Sequence, residues 1–335
     1  MKLSELKVAV HTVKKRMPNF SSSTDSIKNT LAYFGLFNHT LTADELYGWL
    51  WRPPANLTRE DFLLSLRATE RSVAIPWLQD KYGFYFLPGA ELSVETRRRA
   101  ALTSDLKMKI ARRAAKKLRA VPFLRAIFVC NSVGAGQAKS ESDIDFFIVA
   151  AAGRVWIVRW FCNLILRLWG LRTYGTKLRD RICLSFFVDE NNLDLEKFQG
   201  VEEDVHFIYW TNQKIPLYDA GGMYERFTRA NSWVKKYLPN LPQKFAAGYA
   251  GAVADTGIGR IWKTMWETLW RGAYGDLIER QARALQWHIL PLSVKEMANT
   301  NTATVINDVV ISLHHSDSRA QLKSEWEAAA RQLSC

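Results

Sequence analysis

Cysteine is scarce in this chain: four residues in 335, Cys130, Cys162, Cys183 and Cys335, none of them spaced as C-x-x-C. That spacing argues against a thiolate zinc cluster, and the four read as small core hydrophobes of a protein kept in a reducing compartment. Histidine is nearly as thin, with six residues of which only His314 and His315 adjoin. Neighbours on a strand or helix point apart, so this pair reads as surface and a histidine zinc centre is not expected. Long apolar runs are missing too. The most hydrophobic region, 146–171, is cut by Gly153, Arg154, Arg159 and Arg167, which a spanning helix would have to bury; it reads as a strand followed by an amphipathic helix. The opening MKLSELKVAVHTVKKRM is basic and amphipathic, without an apolar core or a small-residue cleavage site, so a cytoplasmic protein with no membrane span is expected. There is no internal repeat and no low-complexity segment.

What the chain has is core-forming bulk and positive charge. Hydrophobic residues make up 48%, with 13 Trp, 17 Phe and 11 Tyr, enough for two or three domains. The net charge of +13 suits a polyanionic partner: nucleic acid, an acidic membrane surface or a triphosphate.

One stretch organises the rest, AIFVCNSVGAGQAKSESDIDFFIVAA at 126–151. An apolar run breaks at Cys130 into a Ser/Gly-rich segment, and a second run opens on Asp143-Ile-Asp145. Alternation on a strand sends Asp143 and Asp145 to one face and Ile144, Phe146 and Ile148 to the other. Two parallel carboxylates attract a hard cation, and Mg2+ is commonly held by one or two carboxylates plus substrate phosphates. Backbone N–H groups at Gly134 and Gly136, with the Ser132 hydroxyl, are placed to hold those phosphates. The plainer alternative is a capped turn entering a sheet, with both acids solvated.

The pattern resembles the nucleotidyltransferases of the DNA polymerase β superfamily, in which a hydrophobic strand ends in Gly-Ser, a short helix follows, and the next strand carries Asp-x-Asp about ten residues on. Ser132, Asp143 and Asp145 fall on those positions, and the match covers roughly 127–190. The resemblance implies a mixed α+β or α/β fold with Mg2+ or Mn2+ on Asp143 and Asp145, the nucleotide's phosphates on Ser132, Gly134 and Gly136, and transfer of a nucleoside monophosphate to an unidentified acceptor: nucleic acid, protein or small molecule. Two positions depart from the family: Asn131 stands for the usual Gly, and Ala135 for a frequent Arg. A third carboxylate is commonly carried by a later strand. The matching run here, ICLSFFV at 182–188, contains no acid; Ser185 stands where the acid is first sought, and Asp180, Asp189 and Glu190 flank the run.

The flanking segments give three expected domains. Residues 1–90 carry helices at 26–37, from Thr42 as an N-cap with Glu45 three residues on, and from Thr58 in a similar way with Asp61, then strands at 75–79 and 82–87 joined at Asp80-Lys81, a winged-helix-like pattern. Its third helix sets Arg59 and Arg67 against Glu60, Asp61 and Glu70, which argues against groove reading of DNA. Residues 91–200 form the expected catalytic domain. They open with a helix at 94–121 bearing ten Lys or Arg and an apolar stripe of Leu102, Leu106, Ile110, Ala114 and Leu118, either a solvated face or an electrostatic funnel. A helix at 154–171 is expected to pack Trp156, Trp160, Leu164 and Leu168 on the sheet, and Lys177, Arg179 and Arg181 precede the 182 strand, within reach of a triphosphate. Residues 201–335 read as a mainly helical domain, with a break near 272–275, a strand within 304–313 and a last helix at 318–333. Two further readings stay open: a degenerate fold member that binds without turnover, and a DNA-binding regulator.

Overall fold

The computed structural model describes residues 20–70, 77–89, 93–241, 251–313 and 318–333; His314, His315, Cys335, the first nineteen residues and positions 75 and 76 of the expected strand at 75–79 lie outside these, and of that strand's described residues only Gln79 is extended. The chain divides into two compact units: 1–94 with 235–242 and 326–335, and 95–234 with 243–325.

The first unit begins with α1 (Phe20–Gly35), a short β1 (Leu41–Thr42) and α2 (Ala43–Gly48). The expected capping box is present: the Thr42 hydroxyl accepts from the Glu45 amide and the Glu45 carboxylate from the Thr42 amide. α3 (Arg59–Glu70) follows, and Thr58 caps it by exchanging hydrogen bonds with Asp61. β2 (Gln79–Lys81) and β3 (Phe84–Phe86) form the hairpin, and β1 joins on the far side of β3. The turn is Tyr82-Gly83, not Asp80-Lys81. Both turn residues have positive φ, 56° and 77°, which glycine at the second position accepts without strain. Trp51 stacks on Tyr237 and meets Trp326 edge-on, so segments distant in sequence complete this core.

The second unit opens with α4 (Ser93–Leu118), followed by β4 (Leu124–Val129), α5 (Asn131–Gly134), β5 (Ile144–Ala150), α6 (Val155–Leu168) and β6 (Ile182–Asp189). Then come α7 (Val205–Asn212), β7 (Ile215–Asp219), α8 (Met223–Ala230), α9 (Gly257–Leu269), α10 (Gly272–Ile289), α11 (Leu292–Met297), β8 (Thr304–Ile306), β9 (Val310–Leu313) and α12 (Arg319–Gln332), whose last turns count with the first unit. The six strands form one mixed sheet in the order β7-β4-β5-β6-β9-β8, with β5 and β6 parallel and the other pairs antiparallel. Residues 201–325 therefore do not stand apart as a helical domain: they supply three of the six strands. β7 escaped notice in the sequence because Pro216 interrupts it, which an edge strand tolerates. The expected break separates α9 from α10, and the apolar run at 304–313 is a hairpin rather than one strand.

One face of the sheet, with Ile144, Phe146, Ile148, Leu184 and Phe187, shares a core with Trp156, Cys162 and Leu166 of α6 and with Met108, Ala111, Ala115 and Leu118 of α4. Glu279 of α10 accepts from the Trp156 and Ile157 amides, capping the start of α6 from outside. The opposite face stacks Phe128, Phe147 and Phe186 against Trp210 of α7 and Phe227 of α8.

The faces of α4 and α6 differ from expectation in the same way. Leu102 and Leu106 are 68% and 60% exposed, and Leu164 and Leu168 38% and 76%, although each belongs to a four-residue repeat. At 3.6 residues per turn, each step of four overshoots a full turn by about 40°, so such a repeat winds off the buried face within two or three steps. The face that α4 buries runs Ser104, Lys107, Met108, Ala111, Ala114, Ala115 and Leu118, with spacings of three and four. A lysine sits in the middle of it.

Candidate functional site

β5 begins where the sequence placed it, and its first residues are fixed by three neighbours. The Cys130 amide donates to the Asp145 carbonyl at 3.1 Å, the Ile144 amide to the Arg181 carbonyl at 2.8 Å, and Asp145 stands opposite Cys183 in the parallel pairing with β6. As a result one ligand atom from each of Asp143, Asp145 and Cys183 lies within 4.8 Å of the others. The two carboxylates that alternation put on one face are together, and the third member is a thiol.

Cys183 was expected in the core and Ser185 at the third position. The difference comes from a bulge in β6: Phe146 pairs with Leu184 but Phe147 with Phe186, leaving Ser185 as the extra residue. The bulge also reverses the alternation beyond it. Phe186, not Phe187, comes round to the face of Asp145 and Cys183 and stacks on Phe147, while Phe187 joins the opposite core. The Ser185 hydroxyl is buried beside Asp145 and Cys130, without a hydrogen-bond partner that meets normal geometry.

None of the three flanking acids comes to the site among the described residues. Asp180 is taken by Lys107, Nζ to Oδ1 at 2.7 Å. Asp189 lies at the far end of β6, where its Oδ1 accepts from the Asn191 amide and the Asn192 side chain. Glu190 lies between Arg125 and Arg226, 3.7 and 3.6 Å away.

The loop between β4 and β5 is shaped by its backbone. Asn131 has φ +53° and Gly136 φ +71°. Asparagine is the residue other than glycine that best accepts the left-handed region, which explains how Asn131 can stand where glycine is usual. Its side chain also accepts from the Trp210 indole at 2.6 Å and hydrogen-bonds Asp145, tying the turn to the acid. Gly134 has a different role from the one expected. Its amide donates to the Cys130 carbonyl, and that of Gly136 to the Val133 carbonyl, so both donors are spent inside the turn rather than free for phosphate. A Cβ on Gly134 would come 2.6 Å from the Gln213 carbonyl and 3.0 Å from that of Val129: glycine is there for close packing. The donors left open in this turn are the Ser132 hydroxyl and the amides of Ser132 and Val133 at the start of α5, which have no backbone acceptor among the described residues. Ala135 brings no cation; Arg97 of α4 does, donating to the Gly136 carbonyl at 3.3 Å.

Burial, and then the charge of Asp143, push Asp145 up to about 6; the polar side chains of Asn131, Ser185 and Cys183 beside it offset part of this. Burial, with the two aspartates, pushes the Cys183 thiol far up, so it is neutral at physiological pH. Arg172, beside Cys183 and within the field of Asp143, is lowered by burial. A pair of carboxylates with free lone pairs fits a hard divalent ion completed by phosphate oxygens; the neutral thiol adds little to it.

Lys107 was legible only as one cation among ten. Buried at 1% exposure, it donates to the carbonyls of Ser140 and Ser142 at 3.1 and 2.7 Å as well as to Asp180, and so pins the segment that delivers Asp143. Lys107→Met removes the donor and keeps the bulk, leaving three acceptors short of a partner. A loss of about 3 kcal/mol in chemical denaturation is expected; a loss below about 0.5 kcal/mol would contradict this role.

No family model, curated protein or solved structure matches the chain. No helix among the described residues is long and apolar enough to cross a membrane.

Proposed function

We propose that the protein is a metal-dependent nucleotidyltransferase, moving a nucleoside monophosphate from a nucleoside triphosphate to an acceptor hydroxyl with release of pyrophosphate. The observation that carries this reading is the side-by-side placement of Asp143 and Asp145 at the opening of β5, with the Ser132 turn leaving the neighbouring strand β4. Mg2+ or Mn2+ held by Asp143 and Asp145 together with the nucleotide's phosphates would neutralise the charge developing at the transferring phosphorus. Ser132 and the first amides of α5 would hold the phosphates against that end of the sheet, while Lys107 and Asn131 keep the two aspartates in register. In this reading the larger unit is a nucleotidyltransferase domain, and the first unit, with its order α1-β1-α2-α3-β2-β3, a winged helix. Arg59 of α3 is bonded to Asp44 through Nε and Nη2, which favours a packing or partner role over groove reading.

Cys183 at the third position favours a second reading, a protein that binds metal and nucleotide without turnover, because a neutral thiol of raised pKa cannot accept the acceptor's proton at neutral pH. Incubation with labelled nucleoside triphosphates, Mg2+ or Mn2+, and a cell extract separates the two. Label transferred to an acceptor, and lost in Asp143→Asn, is the expected result; metal-dependent nucleotide retention with no transfer would leave the binding reading in its place.

A further inference from the structure

Beside the aspartates, on the flank of β6, lies a cleft of about 320 Å³ lined by Arg167, Arg172, Thr173, Tyr174, Lys177 and Arg181, with no acidic side chain in its wall. It exists because β9 pairs only with Phe186–Val188. The start of β6 is covered instead by the segment after α6: the Ile182 amide donates to the Leu171 carbonyl at 2.7 Å, and the Thr173 amide to the Ile182 carbonyl at 3.1 Å. This brings the last turn of α6, the 172–177 turn and the entry to β6 to one place, each with its cations.

Apart from the field of Asp143 at Arg172, no carboxylate answers these charges among the described residues. Arg172 spends its donors on the Asn163 side chain, the Thr173 hydroxyl and the Ile182 carbonyl, and Arg181 on the Gly170 carbonyl. None of the four forms an ion pair with a carboxylate among the described residues. Arg167 and Arg172 act on each other, and on buried Arg159, as like charges. The contrast is local. Arg179, two residues before Arg181, is taken by Glu141 and Asp180, and the larger cleft of about 440 Å³ at the other end of β5 carries its own pairs, Arg154 with Asp276 and Arg283 with Asp308. A concentration of cations without a paired carboxylate is electrostatically costly unless an anion completes it, and guanidinium groups match phosphate oxygens in bidentate geometry.

Position says which anion. In the order β4-β5-β6, the Ser132 turn leaves from β4 and the cleft opens on β6, so the two anion-facing features flank the aspartates of β5 on opposite sides. Arg172 reaches from the cleft to Cys183, the inner edge of the site. We infer that the cleft binds the phosphate group of the acceptor, and that the acceptor is a small phosphorylated molecule. This rests on the transferase reading for the word acceptor; anion binding in the cleft does not. The volume suits a small ligand rather than a polymer, which would need a cationic track extending beyond these residues.

The test titrates inorganic pyrophosphate into the full chain in EDTA, where no metal can place it on the aspartates. One saturable site is expected, weakened at least tenfold in the Arg167→Ala/Lys177→Ala double variant, whose side chains are exposed and whose fold should persist, and in Arg172→Gln. Ser132→Ala and Asp145→Asn should leave this affinity unchanged. No saturable binding, or equal binding by the cleft variants, overturns the inference. So does a single-stranded oligonucleotide that binds a hundredfold tighter than pyrophosphate, with affinity growing with length. A second arm treats the cell extract with phosphatase before the labelled transfer assay: transfer should disappear, and transfer that survives overturns the assignment to the acceptor. Absence of transfer in the untreated extract counts against the transferase reading alone, with the pyrophosphate titration still deciding the cleft.

Discussion

Replacing Asp145 by asparagine should make the metal-free protein more stable while ending its response to divalent metal. The carboxyl is buried beside Asp143 and sits at about 6 instead of the ordinary 3.8. An acid raised in the folded state binds its proton more tightly there than in the unfolded chain. Its favourable contribution is therefore complete below about pH 4 and is lost as pH rises through 6. At neutral pH the buried charge costs about 3 kcal/mol. Asparagine keeps the shape and drops the charge, so a gain of about 2 kcal/mol is expected, or roughly 5 °C in the melting of the larger unit. Melting curves in EDTA at pH 5 and pH 7.5 check it: the gain should be large at 7.5 and shrink toward 5. Saturating Mn2+ should stabilise the parent by mass action and leave the variant unmoved. A variant less stable than the parent at both pH values would mean that the carboxylate is answered by a cation within the fold.

Gly134→Ala should be among the most damaging single-methyl changes in the chain. The added carbon meets two backbone carbonyls, at 2.6 and 3.0 Å, and neither belongs to a side chain that can swing away. Relief requires α5 to lift from the Val129 and Gln213 segments, carrying Ser132 with it. We expect a loss of about 3 kcal/mol and a fall of at least tenfold in nucleotide affinity, measured by denaturation and by calorimetric titration. Gly136→Ala probes the same loop differently. Its φ of +71° strains any side chain, but the nearest atom to the added carbon is the Arg97 guanidinium at 3.6 Å, so the expected loss is about 1 kcal/mol. Equal losses at the two glycines would contradict the close-packing role of Gly134.

These expectations mark what could be read from the sequence and what could not. The aspartate pair was legible because alternation within one strand is a local rule, and so was the Thr42–Glu45 capping box. The third position was not. Which residue of 182–188 faces Asp145 depends on the register of a parallel pair and on a bulge at Ser185, and neither is written in either strand alone. The amides of Gly134 and Gly136 seemed free because their acceptors, Cys130 and Val133, are engaged only once the turn closes. Lys107 was hidden by its company: eight exposed or partly exposed cations on α4, with Arg119 just beyond it, disguise the single one that is buried against acceptors. Beyond 200 the last helix and the break between α9 and α10 were legible, but β7 and the β8–β9 hairpin were not: these strands pair with β4 and β6 far away in sequence, so the unit to which they belong appears only in three dimensions.

The claim on which everything else rests is that Asp143 and Asp145 jointly hold a divalent ion that carries the nucleotide. Calorimetric titration of a non-hydrolysable nucleoside triphosphate analogue at pH 7.5, with Mn2+ and again in EDTA, tests it on the parent, Asp143→Asn and Asp145→Asn. Expected is binding by the parent that depends on the metal and strengthens as pH rises through 6, where Asp145 gives up its proton, and loss of that metal dependence in each variant. Nucleotide bound equally tightly by all three proteins, or by the parent with and without metal, would contradict it.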